Sequence, residues 1–136
     1  MKFVLKRQLT VALENQPGRL AEISQLIASQ GLNIEALCVI DNVEQGVVRL
    51  LVDDPGRGKD LLIEHGYYVV EAEVIAIHLS DSRGKLALVT NALASARINI
   101  DYAYATVDHN EASTLLIFKV SNVRMAEDIL GKLADA

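Results

Sequence analysis

Residues 11–39, VALENQPGRLAEISQLIASQGLNIEALCV, carry the pattern that decides the fold. Sixty-six positions later, residues 77–105 repeat this pattern without a gap as IHLSDSRGKLALVTNALASARINIDYAYA. Identical residues recur at matched positions, among them Gly18 and Gly84, Leu20 and Leu86, Asn33 and Asn99, and Ile34 and Ile100. Because self-similarity at a fixed offset indicates a duplicated structural unit, the chain is predicted to contain two copies of one fold.

Each copy gives the same order of secondary-structure signals. An alternating apolar segment precedes a glycine turn and a helical segment, in which Leu20, Ile23 and Ile27 fall on one apolar stripe. Two apolar segments joined by polar turn formers and a second helical segment follow. In the first copy, YYVVEAE at residues 67–73 completes the order β-α-β-β-α-β. That order predicts an α+β fold of two ferredoxin-like units, each an antiparallel sheet with both helices on one face.

The second copy has no apolar segment after its second helical segment. The same offset places KFVLK, residues 2–6, on YVVEA, residues 68–72. We therefore expect two repeats, residues 1–72 and 73–136, with residues 2–6 as a candidate for the final strand of the second.

Composition limits the classes of function. The 136 residues carry a formal net charge of −5, and 51% of them are hydrophobic, which is typical of a globular protein. No apolar run approaches the roughly 20 residues of a membrane span, and the N-terminal segment lacks the continuous apolar core of a secretory signal. We expect a soluble, cytoplasmic protein with no membrane partner. The acidic balance and scattered basic residues argue against nucleic acid.

Metal and cofactor sites are not expected. The lone cysteine, Cys38, lies between apolar residues, where a buried and inert thiol is the usual state. The histidines, His65, His78 and His109, have no metal-ligand spacing with one another or with Cys38.

The turn NQPGRL is the most informative motif. Pro17 suits the first position of a helix, and the free N–H groups of residues 18–20 would favour a carboxylate at the positive end of the helix dipole. The Asn15 side-chain oxygen could accept a hydrogen bond from an ammonium group. If the strand before the turn runs toward it and the strand after the helix runs away from it, Asn33 lies at the same edge as the turn.

A purely structural interpretation of these residues stays open. An Asn-x-Pro-Gly turn is also an ordinary capping turn, and Asn33 and Asn99 can be helix C-terminal residues that tolerate left-handed geometry.

The turn, the Asn-Ile pair fifteen residues after its glycine, and the duplication together resemble the ACT domain. Nearly the whole chain resembles a tandem ACT pair. This resemblance implies a regulatory module that binds an amino acid where paired units meet. The residues implied are Asn15, Gln16, Pro17, Gly18, Arg19 and Leu20 facing Asn99 and Ile100, and Asp81, Gly84, Lys85 and Leu86 facing Asn33 and Ile34.

The second turn, DSRGKL, departs from the family pattern. Arg83 stands where the proline is expected, and Asp81 where the asparagine is expected. An aspartate can hold an ammonium group but can also repel a carboxylate. Whether both copies bind a ligand or only the first is therefore left open.

The sequence features bear on three classes of function. The favoured one is an allosteric amino-acid sensor that acts through a partner protein such as a metabolic enzyme. The alternative is a ligand-free dimerisation module, and strands that are apolar on both alternations predict a homodimer under either class. An enzyme is not expected, because GRGK at residues 56–59 lacks the spacing of a phosphate-binding loop and the Ser or Thr after its lysine.

Overall fold

The computed structural model describes residues 1–14, 16–41, 45–80, 83–108 and 113–135. These residues form six strands and four helices, in the order β1 (Lys2–Leu13), α1 (Arg19–Ser29), β2 (Ile34–Ile40), β3 (Gly46–Val52), α2 (Pro55–Glu64), β4 (Val69–Ser80), α3 (Lys85–Ser95), β5 (Ile100–Asp108), β6 (Ser113–Val120) and α4 (Val123–Asp135). Within the described ranges, no helix is long and apolar enough to cross a membrane.

The chain divides into two compact units, and β1 and β4 contribute residues to both. Residues 7–72 form what we call the first unit. Residues 1–6 together with 73–136 form the second unit. The N-terminal residues therefore pack with the second copy of the repeat, although the first copy follows them directly in the chain.

In the first unit, neighbouring strands run in the order β2-β3-β1-β4. Both β1 and β2 pair antiparallel with β3, and Leu13 lies opposite Gly46 at the end of β1. Alternate residues of β1 share a buried core with the helices, because a strand has period 2 and a helix period 3.6. This core consists of Leu9, Val11, Leu13, Ile23, Ile27, Leu32, Val48, Leu50, Val52 and Leu62.

The second unit repeats this order as β5-β6-β4-β1. Both β4 and β5 pair antiparallel with β6. Phe3 and Leu5 of β1 pack against its core, which includes Ile75, Leu93 and Phe118. Both units thus have the ferredoxin-like strand order, and the predicted fold class is confirmed.

The face of the strands opposite the core clusters is also apolar. Leu51 of β3, Val74 of β4 and Ile117 of β6 alternate with core residues, yet they are 2%, 0% and 0% exposed in the single chain. The sequence predicted from such apolar strands that the open face contacts another subunit, and that contact stays a prediction.

Because Leu5 packs against the second core, we expect Leu5→Ala to lower the free energy of unfolding by about 2 kcal/mol. The neighbouring Val4 points away from that core and is 47% exposed, so Val4→Ala should cost less than about 0.5 kcal/mol. Urea titrations of the two variants measure both values. Equal costs would show that residues 1–6 are not part of the core.

Candidate functional site

Glycine sets the geometry of both helix starts. Gly18 precedes α1 with φ 87°, and Gly84 precedes α3 with φ 83°. A Cβ added at either glycine would meet nothing within 4 Å, so the left-handed backbone is what favours glycine there. The sequence predicted Pro17 as the first helical residue, but this is wrong. The helix α1 begins at Arg19, and the left-handed Gly18 stands between the two residues.

The turn and Asn33 lie at opposite ends of the first unit, so the expectation that they share an edge is wrong. Because β1 and β2 both run antiparallel to β3, they run parallel to each other. The turn after β1 is therefore at the end of β2, near Ile40. Along β3, Gly46 lies at the end that faces the turn, and Val52, six residues or about 20 Å away at about 3.3 Å per residue, lies at the end next to Asn33.

The backbone groups of Asn33 and Asn99 make equivalent hydrogen bonds just before β2 and β5. The Asn33 N–H donates to Asp53 Oδ1 at 2.9 Å, and its carbonyl accepts from Asp53 N–H at 3.1 Å. Asn99 makes the same two contacts with Ser121, each at 2.9 Å. The left-handed residues after the helices are Gly31 and Arg97, so the alternative that assigned this geometry to the asparagines is also wrong.

The first turn faces a cavity of about 220 Å³ between the start of α1 and the β2–β3 hairpin. We call it the turn cavity. It is lined by Leu13, Glu14, Gln16, Gly18, Arg19, Leu20, Ala21, Val39, Ile40, Asp41 and Gly46.

The turn cavity brings together four predicted ligand-binding residues, Gln16, Gly18, Arg19 and Leu20. Pro17 is exposed and is not among its lining residues, and Asn15 lies outside the described residues.

The sequence interpretation missed the hairpin side of this cavity, where Val39, Ile40 and Asp41 end β2 and Gly46 begins β3. A Cβ at Gly46 would lie 2.9 Å from the Ile40 carbonyl oxygen, so glycine is what lets this hairpin close. Correct strand directions would have identified these residues from the sequence.

The lining of the turn cavity combines positive charge, negative charge and apolar surface. No side chain among the described residues caps the start of α1, whose N–H groups and helix dipole supply partial positive charge beside Arg19. Glu14 and Asp41 supply carboxylates. Leu20 and Val39, 37% and 46% exposed, supply apolar surface. Such a site can hold a small zwitterion.

Arg19 is held in place by neighbours on the turn and on α1. Its guanidinium lies 3.1 Å from Glu14 Oε2 and 3.8 Å from Glu22 Oε2, and it donates to Gln16 Oε1 at 3.4 Å. These contacts hold its charge beside the turn cavity.

A second cavity of about 290 Å³ shares Glu14 and Arg19 with the turn cavity. It is also lined by Ala12, Glu22, Gln45, His65, Gly66, Tyr67 and Tyr68. Tyr67 donates to Glu22 Oε1 at 2.5 Å. Burial, and then this hydrogen bond, raise the pKa of Tyr67 to about 12.

The other predicted site residues lie in several places. Gly84, Lys85 and Leu86 are at the start of α3, and Leu86 is 50% exposed. Ile34 packs against the first core and Ile100 against the second. Asp81 and His109 lie outside the described residues. Across the described part of the chain, no three His, Cys, Asp or Glu residues are grouped so that they could hold a metal ion.

Known proteins are similar to this chain in sequence and in fold. A family model described as an ACT domain pair matches residues 4–134. The acetolactate synthase small subunit of Aquifex aeolicus (strain VF5) is 35% identical over 78 residues, which are 57% of this chain. The match spans only 40% of the length of that subunit.

Two solved structures extend the comparison to the whole fold. A protein from Bacteroides thetaiotaomicron is 27% identical with a TM-score of 0.90, over 97% of this chain and 90% of that chain. The ligand-free regulatory subunit of aspartate kinase from Thermus thermophilus is 16% identical with a TM-score of 0.69, over 97% of both chains. The second similarity shows a common fold alone.

The raised pKa of Tyr67 predicts a loss of stability at high pH. Since the folded state favours the protonated phenol, its contribution is fully present below the ordinary pKa of about 10. It is then lost as the pH rises from about 10 to about 12. Unfolding titrations across this range should show the loss in the wild type and in Tyr68→Phe, whose ring is 72% exposed, but not in Tyr67→Phe. The same slope in Tyr67→Phe would contradict the assignment.

Proposed function

Since the chain belongs to the ACT domain pair family, we propose that it is an amino-acid-binding regulatory protein that acts through a partner protein. One observation carries the proposal. The turn whose residues suggested a ligand site borders a cavity that combines a helix start, a cation, two carboxylates and an apolar wall.

An α-amino acid is complementary to this arrangement. Its carboxylate would accept hydrogen bonds from the first N–H groups of α1, where the helix dipole stabilises negative charge. Its ammonium group would donate to Asp41 or Glu14. Its side chain would then lie along Leu20 and Val39.

The output of binding would pass to another protein. Relatives of this chain include a protein named as the small subunit of an enzyme, and the chain spans only part of that subunit. We infer that the chain regulates a metabolic enzyme without being a catalyst itself. A coupling free energy of about 1–3 kcal/mol between ligand and partner would be ordinary for such a regulator.

The sequence also predicted that residues of another repeat complete the ligand site, and this stays a prediction. In that arrangement Asn99 and Ile100 would face the first turn, and Asn33 and Ile34 the second. The turn cavity alone already provides partners for both charges of the ligand.

A ligand-free dimerisation module is the second candidate function. It is favoured by β2, which is an outer strand in the order of the first unit and carries Leu37 and Val39, 44% and 46% exposed. Pairing of β2 with the same strand of a second copy would form a homodimer and cover both side chains. Val39 also lines the turn cavity, so such a contact would border the ligand site.

We expect a thermal-shift screen with the common amino acids at millimolar concentration to identify a ligand. A ligand at about 100 times its Kd adds about 2.7 kcal/mol, which should raise the Tm by several degrees. Asp41→Asn removes one of the two carboxylates that would hold the ammonium group and should reduce this shift. Asp60→Asn, on an exposed position of α2, is the control and should keep it.

Asn99→Ala distinguishes the two locations of the site. It should leave the shift unchanged if the turn cavity is the whole site, and reduce it if another repeat completes the site. Absence of a shift with every amino acid, together with a dimer in sedimentation experiments, would reject ligand binding and leave the dimerisation module.

A further inference from the structure

We propose that the turn cavity selects amino acids with an uncharged aliphatic side chain, and that Leu20 is its specificity-determining residue. This inference rests on the proposed function, because it names the class of ligand for the same site.

The apolar wall is the first observation. Leu20 lies in the first turn of α1 and is 37% exposed, although the helical pattern placed it on the core stripe with Ile23 and Ile27, which are buried. Val39 is 46% exposed at the end of β2. Together with the nearly buried Leu13, they leave apolar surface at the cavity that an aliphatic side chain would remove from water.

The size of the cavity is the second observation. Its volume of about 220 Å³ is below the roughly 300–1,000 Å³ typical of sites for drug-sized ligands. A large aromatic side chain would therefore project into solvent.

The surroundings of the cavity disfavour a charged ligand side chain. Arg19 is already paired with Glu14 and Glu22, so a second carboxylate on the ligand would meet an excess of negative charge that includes Asp41. A charge placed against Leu20 would also lose water without gaining a partner. An uncharged side chain avoids these costs.

Leu88 supplies a matched control within the same chain. It lies in α3 of the second repeat, is 49% exposed and is not one of the residues that the family resemblance implies for ligand binding. Substitutions at Leu20 and Leu88 therefore both shorten an exposed helix leucine, but of the two only Leu20 lines the turn cavity.

The experiment measures binding of defined amino acids by thermal shift and calorimetry to the wild type, Leu20→Ala and Leu88→Ala. The probes are L-alanine, L-valine, L-leucine, L-glutamate, L-lysine and L-tryptophan. We expect an aliphatic amino acid to bind and the charged and aromatic ones to give no shift. Since each buried methylene contributes about fourfold in affinity, Leu20→Ala should weaken binding about tenfold and Leu88→Ala less than twofold.

The outcomes separate this inference from the proposed function. Stronger binding of glutamate, lysine or tryptophan than of every aliphatic probe would overturn the ligand class and leave amino-acid sensing intact. Equal effects of Leu20→Ala and Leu88→Ala on aliphatic binding would overturn the role of Leu20. If no common amino acid shifts the Tm, the proposed function fails and this inference fails with it.

Discussion

The constraint on which the structure depends is that one strand serves two cores. β1 is 12 residues long, and residues 1–6 belong to the second unit whereas residues 7–13 belong to the first. Leu9 and Val11 are buried in one core, and Phe3 and Leu5 pack against the other. The second copy of the repeat therefore obtains its outer strand from the opposite end of the sequence. The first unit is a continuous stretch of chain, residues 7–72, whereas the second unit combines residues from both ends of the sequence.

The direction of the strands decides which residues can form a site. Two parallel strands joined through a helix end at the same edge of the sheet, and β3 lies between β1 and β2 in the first unit. The start of α1 is consequently placed against the hairpin that follows β2. This is why Asp41 and Gly46, and not Asn33, lie beside the turn. The reciprocal contacts between Asn33 and Asp53 stabilise the other end of the same strand pair.

The sequence was sufficient to predict features that depend on local periodicity. The duplication, the order of elements and the burial of Ile23 and Ile27 follow from residue spacing, because each element must bury one face. The position of Asn33 was predicted wrongly, because strand direction is set by pairing between distant segments. The close approach of Gly46 to the Ile40 carbonyl is likewise a property of the closed hairpin. Leu20 shares the helical stripe of Ile23 and Ile27 but lies at the turn cavity, because helical spacing does not distinguish a buried stripe from a cavity wall.

Comparison of the two helix starts separates what the fold requires from what a site requires. Gly18 and Gly84 have nearly the same left-handed φ, so both copies retain the backbone that begins the helix. The side chains around them differ, since Arg83 replaces Pro17 and Ala105 stands in the position of Val39. A left-handed glycine lets the chain enter the helix without strain, which each copy needs in order to fold. The surrounding side chains are not under that constraint, so the same turn can form a cavity wall in one copy without doing so in the other.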